Sequence, residues 1–144
     1  MKICELMSDR VVTIDMDEPV SAAARLMKSH NVGAIPACGK DGRLRGIVTD
    51  RDIVLRCVAG DADPQHTPVK EIMSRGVITA QPFDEAEKAA RLMSQDQVRR
   101  LPVLDDGRVV GIVALGDLAR SCSCEMEAAE ALTEISANLR RRRN

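Results

Sequence analysis

The chain has 144 residues with 21 basic and 22 acidic side chains, a formal net charge of −1, and is 44% hydrophobic. That length allows one or two small domains with a modest core, and the charge balance argues against a general nucleic-acid binder, which carries a basic face. Phe83 is the one aromatic residue, so there are no stacking platforms for single strands, and the core must be built from Val, Ile, Leu, Met and Ala.

No apolar run approaches the roughly 18 residues needed to span a bilayer, and the first six residues are too short and polar for a signal peptide. A cytoplasmic protein without a membrane partner is expected. The five cysteines (Cys4, Cys38, Cys57, Cys122, Cys124) are odd in number and lack framework spacing, which argues against a disulfide scaffold.

In chain order, the residues up to Met7 can form one helical turn, and Val11 to Ile14 reads as a short strand. Asp17-Glu18-Pro19 reads as a helix start, with Pro in the first turn. Val20, Ala23, Ala24, Leu26 and Met27 then form an apolar stripe at helical spacing as far as His30. Ala34 to Ala37 is a second strand, with Pro36 favouring its end or edge. Asp41-Gly42 is a hairpin turn signal. Leu44 to Val48 returns as the third strand, and a helix follows from about Asp50 to Ala59. Gly60 to Pro68 is a loop by composition.

After that loop the order begins again. Glu71-Ile72-Met73-Ser74 follows Glu5-Leu6-Met7-Ser8 by 66 positions, and Ala89-Ala90-Arg91-Leu92-Met93 repeats Ala23-Ala24-Arg25-Leu26-Met27 letter for letter. Val98 to Pro102 falls on Val32 to Pro36. Asp106 to Val113 falls on Asp41 to Val48 at an offset of 65, and Asp117 on Asp52. This is an internal duplication. Each half is too small to bury its sheet alone, so the halves are expected to pack about a pseudo-two-fold axis and create two equivalent clefts. The expected boundaries are 1–60 for the first motif, 61–68 for a linker, 69–121 for the second motif and 122–144 for a C-terminal helix and basic tail.

The strand-to-helix junctions are where chemistry concentrates. Gly46-Ile47-Val48-Thr49 runs into Asp50-Arg51-Asp52, where free backbone N–H groups favour an anion, Thr49 adds a hydroxyl and Arg51 a cation. Asp52 is an acceptor suited to the hydroxyls of a ribose. Thr49-x-x-Asp52 is equally a capping box, Thr at the N-cap and the carboxylate reaching back from N3. Both readings stand at this point.

Val32 to Pro36 with Gly42 to Ile53, and Val98 to Val103 with Asp106 to Val113 and Asp117-Leu118, resemble a known family, the tandem cystathionine β-synthase (CBS) domain pair or Bateman module. The chain is similar to its small stand-alone bacterial members of the hypoxic-response type. The resemblance implies an α/β (α+β) fold of two β-α-β-β-α repeats. It also implies a homodimer in which four motifs form a disc, and clefts that bind an adenosyl ligand (AMP, ADP, ATP, NAD or S-adenosylmethionine). No cofactor is required for chemistry.

In the first cleft, Thr49 and Asp52 would hold phosphate and ribose beside Arg51, while Thr13, Ile14, Ala34, Ile35 and Pro36 would hold the adenine. A triphosphate needs more cations than Arg51 alone provides, so AMP leads the list. The second, weaker cleft would use Thr79, Arg99, Arg100, Leu101, Pro102 and Asp117. It has Ala114 in place of Thr49 and Gly116 in place of Arg51. Arg99 and Arg100 either substitute for these at a phosphate or pair with surface carboxylates.

Cys122-Ser123-Cys124 could hold a soft metal or act as a redox switch, but no further ligand lies near it, and exposed thiols are preferred. Cys38 and Cys57 read as core fillers. His30 suits a helix C-terminus. Glu125 to Leu139 is expected as a helix with Met126, Ala129, Leu132, Ile135 and Leu139 on one side, ahead of a solvated Arg140 to Arg143 tail.

No catalytic constellation, P-loop, dinucleotide-binding Gly fingerprint or metal-ligand cluster is found. Together with what the resemblance implies, the expected function is a non-enzymatic adenine-nucleotide sensor that acts on an unknown protein partner. The alternative is a constitutive or redox-responsive interaction module with vestigial clefts.

Overall fold

A computed structural model describes residues 1–120 and 129–137. Cys122, Cys124 and Arg140 to Arg143 lie outside the described residues. The elements are α1 (Ile3–Leu6), β1 (Ile14–Asp15), α2 (Val20–His30), β2 (Ala34–Cys38), β3 (Leu44–Thr49) and α3 (Asp50–Asp52). They continue with α4 (Ala86–Asp96), β4 (Arg100–Asp105), β5 (Arg108–Ala114), α5 (Leu115–Ala119) and a helix over 129–137, here α6. This is a mixed α/β fold with small sheets. Among the described residues, no helix is long and apolar enough to cross a membrane.

Two compact units form, and they do not follow the chain linearly. One comprises 12–77 with 107–109; the other comprises 1–11, 78–106 and the described residues from 110 onward. In the first, β1 runs parallel to β2 and β2 antiparallel to β3, with Ile14 opposite Ala37 and Ala34 opposite Thr49. In the second, Ala80 lies parallel to Val103, and β4 pairs with β5.

Each unit takes its leading segment from ahead of the other repeat. Ser74 pairs antiparallel with Ile47 in one unit, and Ser8 with Ile112 in the other; Pro19–Pro68 and Lys2–Glu85 are a second matched pair of bridges. Two glycines permit this. A Cβ on Gly46 would stand 2.7 Å from the Ser74 carbonyl oxygen and 2.8 Å from Met73 Sδ. On Gly111 it would stand 2.5 Å from Met7 Sδ and 2.9 Å from the Ser8 carbonyl oxygen. Any side chain there would push the incoming segment off the strand.

Lysines from the leading segments tie them down. Lys2 meets Glu85, and Lys70 donates to Asp17 Oδ1 at 2.9 Å. The hydrogen bond from each lysine holds its carboxyl partner below the ordinary carboxylate value, and the Glu85 contact raises the Lys2 ammonium.

The cores are aliphatic, as the composition requires. Ile14, Val20, Met27, Ile35, Val48 and Ile72 pack together in one unit, and Ile3, Met93, Leu101, Val103, Val113 and Leu118 in the other. Cys38 and Cys57 are buried, and burial pushes the Cys38 thiol up. Phe83 lies on the surface, 79% exposed, so the one aromatic contributes little to either core.

Four local expectations need correction. Pro36 is not at a strand end or edge but in the middle of β2, the central strand of its sheet, opposite Ile47. Val11 to Thr13 are not strand, and β1 begins at Ile14. Pro19 sits at the N-cap of α2 rather than in its first turn. The helix after Thr49 is α-helical only over Asp50–Asp52 and continues as a π-helix over Ile53–Val58. Periodicity near four residues does not separate these two helical forms. Helices α2 and α4 both end on a left-handed residue, Asn31 (φ 52°) and Gln97 (φ 57°), repeating the same C-cap.

Candidate functional site

The first junction forms where β3 leaves the sheet. Cross-strand pairing sets Ala34 opposite Thr49, and the Asp50 amide donates to the Gly33 carbonyl at 2.9 Å. The expected capping box is present. The Asp52 amide donates to Thr49 Oγ1 at 3.0 Å, and the Thr49 amide donates to Asp52 Oδ2 at 3.0 Å.

The cap does not exhaust either side chain. Thr49 Oγ1 accepts with a lone pair, so its O–H remains a donor. The other Asp52 oxygen, Oδ1, faces Arg56 Nε at 3.8 Å, longer than a hydrogen bond. Asp52 is only 8% exposed. Arg56 also donates to the Ile72 carbonyl at 3.2 Å, so it is held in place.

Arg51 is exposed. With Asp50, Val54 and Leu55 it lines a cavity of about 350 Å³. Asp50 Oδ1 accepts from the Arg51 amide at 2.8 Å. A Cβ on Gly33 would lie 3.0 Å from Asp50 Oδ2, so a side chain there would crowd that carboxylate. Thr13 and Ile14 line a different cavity in the same unit, of about 430 Å³, with Asp15, Glu18, Ala22 and Arg25 among its walls. Ile35 and Pro36 are buried, so their backbone rather than their side chains is what a ligand at the junction could meet.

The second junction repeats the frame with different side chains. The Leu115 amide donates to the Arg99 carbonyl at 2.8 Å, the counterpart of Asp50 on Gly33. Ala114 has no hydroxyl, so only half of the box survives, the Ala114 amide donating to Asp117 Oδ2 at 2.9 Å. Asp117 Oδ1 accepts from Arg120 Nη2 at 2.8 Å. Thr79 is half-buried beside Ala80, whose amide donates to the Pro102 carbonyl at 3.0 Å, and Leu101 is buried.

Arg99 and Arg100 are exposed and line a cavity of about 490 Å³ with Ala114, Leu115, Gly116 and Leu132 among its walls. No carboxylate pairs with either arginine among the described residues. The surface-pairing alternative therefore has no partner in the described structure.

Several neighbours escaped the sequence argument. Arg56 and Arg120 were detectable as cations four and three residues beyond Asp52 and Asp117 on a helix. The closeness of Asp50 to Gly33 has no local signal. On α6 the expected face holds in part: Ile135 enters the core and Ala129 and Leu132 line the cavity, but Ala131, outside that stripe, is buried as well. Met126 and Leu139 lie outside the described residues. Among the described residues, no group of three His, Cys, Asp or Glu is arranged to hold a metal ion.

Comparison with known proteins bears on this frame. The sequence pattern of the family described as "CBS domain" matches residues 3–58 and 69–123. The chain is 47% identical over 132 residues to the CBS domain-containing protein YhcV of Bacillus subtilis, covering 92% of this chain and 93% of that one. It is similar to the crystal structure of Hypoxic Response Protein I with two coordinated zinc ions. The TM-score is 0.78 at 35% identity, over 83% of this chain and 98% of that one. It is also similar to the CBS domain pair of protein MJ0100 in complex with 5-methylthioadenosine and S-adenosyl-L-methionine. There the TM-score is 0.73 at 31% identity, over 83% and 94% of the two chains.

Proposed function

The chain belongs to the CBS domain family, with two copies of the domain, and from that premise we propose that it is a non-enzymatic, adenosyl-ligand-binding regulatory module of the cytoplasm, working as a homodimer. One observation carries the reading. Thr49 and Asp52 complete a capping box and still leave an O–H donor and a carboxylate oxygen that accepts no hydrogen bond, ion-paired with Arg56 at 3.8 Å, on a junction with an exposed Arg51. A helix cap alone does not need the arginine.

The roles divide by chemistry. The Thr49 hydroxyl and Arg51 meet an anion such as phosphate. Asp52 Oδ1 accepts from a ribose hydroxyl, and the backbone at Ala34, Ile35 and Pro36 faces the base, while Thr13 and Ile14, proposed for the same base, line a neighbouring cavity of the unit. AMP is the leading ligand, because Asp50 and Arg51 together leave no net charge for a longer phosphate chain. Thr79, Arg99, Arg100, Leu101, Pro102 and Asp117 form the second site. The adenosyl ligands of the MJ0100 pair support the ligand class. Binding regulates a partner only through its different affinity for two conformations of the module.

The test is calorimetric titration of AMP, ATP, NAD and S-adenosylmethionine into wild type and Asp52→Asn. The asparagine keeps an acceptor for the Thr49 amide but loses the charge, so the cap stays while ribose binding weakens. Saturable binding weakened by roughly 10- to 100-fold supports the reading. Binding of none of the four would contradict it.

A further inference from the structure

The two junctions carry their charge on opposite sides. At the first, the strand side is Gly33 and Ala34, and the helix side carries Asp50 and Arg51, which cancel. At the second, the strand side is Arg99 and Arg100, and the helix side is Leu115 and Gly116, which are neutral. Neither arginine is paired with a carboxylate among the described residues. The cavity they line, about 490 Å³, lies within the range of small-molecule pockets.

We infer that the second junction takes an adenosyl ligand bearing a di- or triphosphate, while the first takes one bearing a single phosphate or none. The inference rests on the proposal that adenosyl ligands bind at these junctions. Guanidinium groups match phosphate oxygens in a bidentate fork, and two unpaired ones supply the charge a polyphosphate needs. At the first junction each added phosphate would approach the exposed Asp50 carboxylate.

The second cavity also has a wall the first lacks. Ala131 and Ile135 fix α6 in the core of the same unit, and this holds Ala129 and Leu132 against the cavity. The wall is apolar. It suits the adenosyl body and leaves the phosphates to the arginines.

The experiment titrates AMP, ATP and inorganic tripolyphosphate into three forms of the full chain. These are wild type, Arg99→Gly/Arg100→Ala (the first repeat's residues) and Leu132→Glu, which puts a carboxylate into the wall. All three changes are at exposed positions, and far-ultraviolet circular dichroism verifies folding.

Wild type is expected to bind ATP on the order of tenfold more tightly than AMP at the second site, with the preference shrinking as salt rises. It is also expected to bind tripolyphosphate. The double variant loses the preference and the tripolyphosphate binding but keeps AMP, and Leu132→Glu weakens ATP and tripolyphosphate only. An ATP preference that survives the double variant overturns the inference. If AMP binding depends on Asp52 and ATP never exceeds it, this inference falls while the proposed function stands. If no nucleotide binds but tripolyphosphate does, and needs both arginines, the adenosyl reading falls and the anion selectivity of the second junction stands.

Discussion

The junctions at 49–52 and 114–117 descend from one pattern and share one backbone, yet they are differently equipped. Both place an amide on the carbonyl of the residue just ahead of the paired strand, Gly33 or Arg99, and both return an aspartate to the N-cap amide. Only the first has the threonine that closes the box, and its aspartate is ion-paired with Arg56 at 3.8 Å, too long for a hydrogen bond. At the second, Arg120 occupies the corresponding aspartate oxygen directly. The comparison teaches that the backbone frame is set by packing and strand pairing, which the duplication preserves. Ligand chemistry rests on a few exposed side chains, which have diverged.

The frame can be broken at its shared points. Gly46→Ala and Gly111→Ala each place a methyl group against a methionine sulfur and a backbone carbonyl that cannot retreat far. Each is expected to cost about 1–3 kcal/mol, measured by urea unfolding. A cost at one glycine and none at the other would mean that the leading segments are not held alike in the two units.

Exchanging the caps sharpens the difference. Thr49→Ala is expected to lose roughly 0.5–2 kcal/mol, and Ala114→Thr, whose backbone is already extended as an N-cap requires, to gain an amount of that order. The measurement is the shift of the unfolding midpoint in each variant. No gain at Ala114 would show that the Asp117 half of the box already satisfies the terminus.

The smallest effect is on the leading segments. Glu85 and Asp17 are held below their ordinary values by their lysines, so each contact contributes fully above the ordinary carboxylate range and is lost as pH falls through the lowered value. Lys2 is raised, so its share is present below the ordinary lysine value and lost as pH rises through the raised one. Amide protection factors in 2–8 and 69–74, taken relative to the intrinsic exchange rate at each pH, are expected to fall at acidic pH. Because the groups are exposed, global stability is expected to change little from this cause.

Much of this frame was legible in the sequence. The apolar stripes placed α2 and α4, Asp41-Gly42 placed the turn between β2 and β3, and the letter-for-letter repeat placed the second junction once the first was found. Thr49-x-x-Asp52 read correctly as a cap, but the same four residues could not say whether the cap also binds, since that depends on which oxygens the fold leaves open. The exchange of leading segments was not legible. Ser8 and Ile112 pair across more than a hundred residues, and no local periodicity records such a partner. Nor was the burial of Ala131 on α6, which lies off the expected stripe of Ala129, Leu132 and Ile135.

The most direct measurement is hydrogen–deuterium exchange of the full chain with and without AMP, resolved to peptides covering 44–53 and 108–119. The account predicts slower exchange at the first stretch, whose strand-to-helix junction carries Thr49, Arg51 and Asp52, and a smaller change at the second. Protection at the second alone, or at neither, would contradict it.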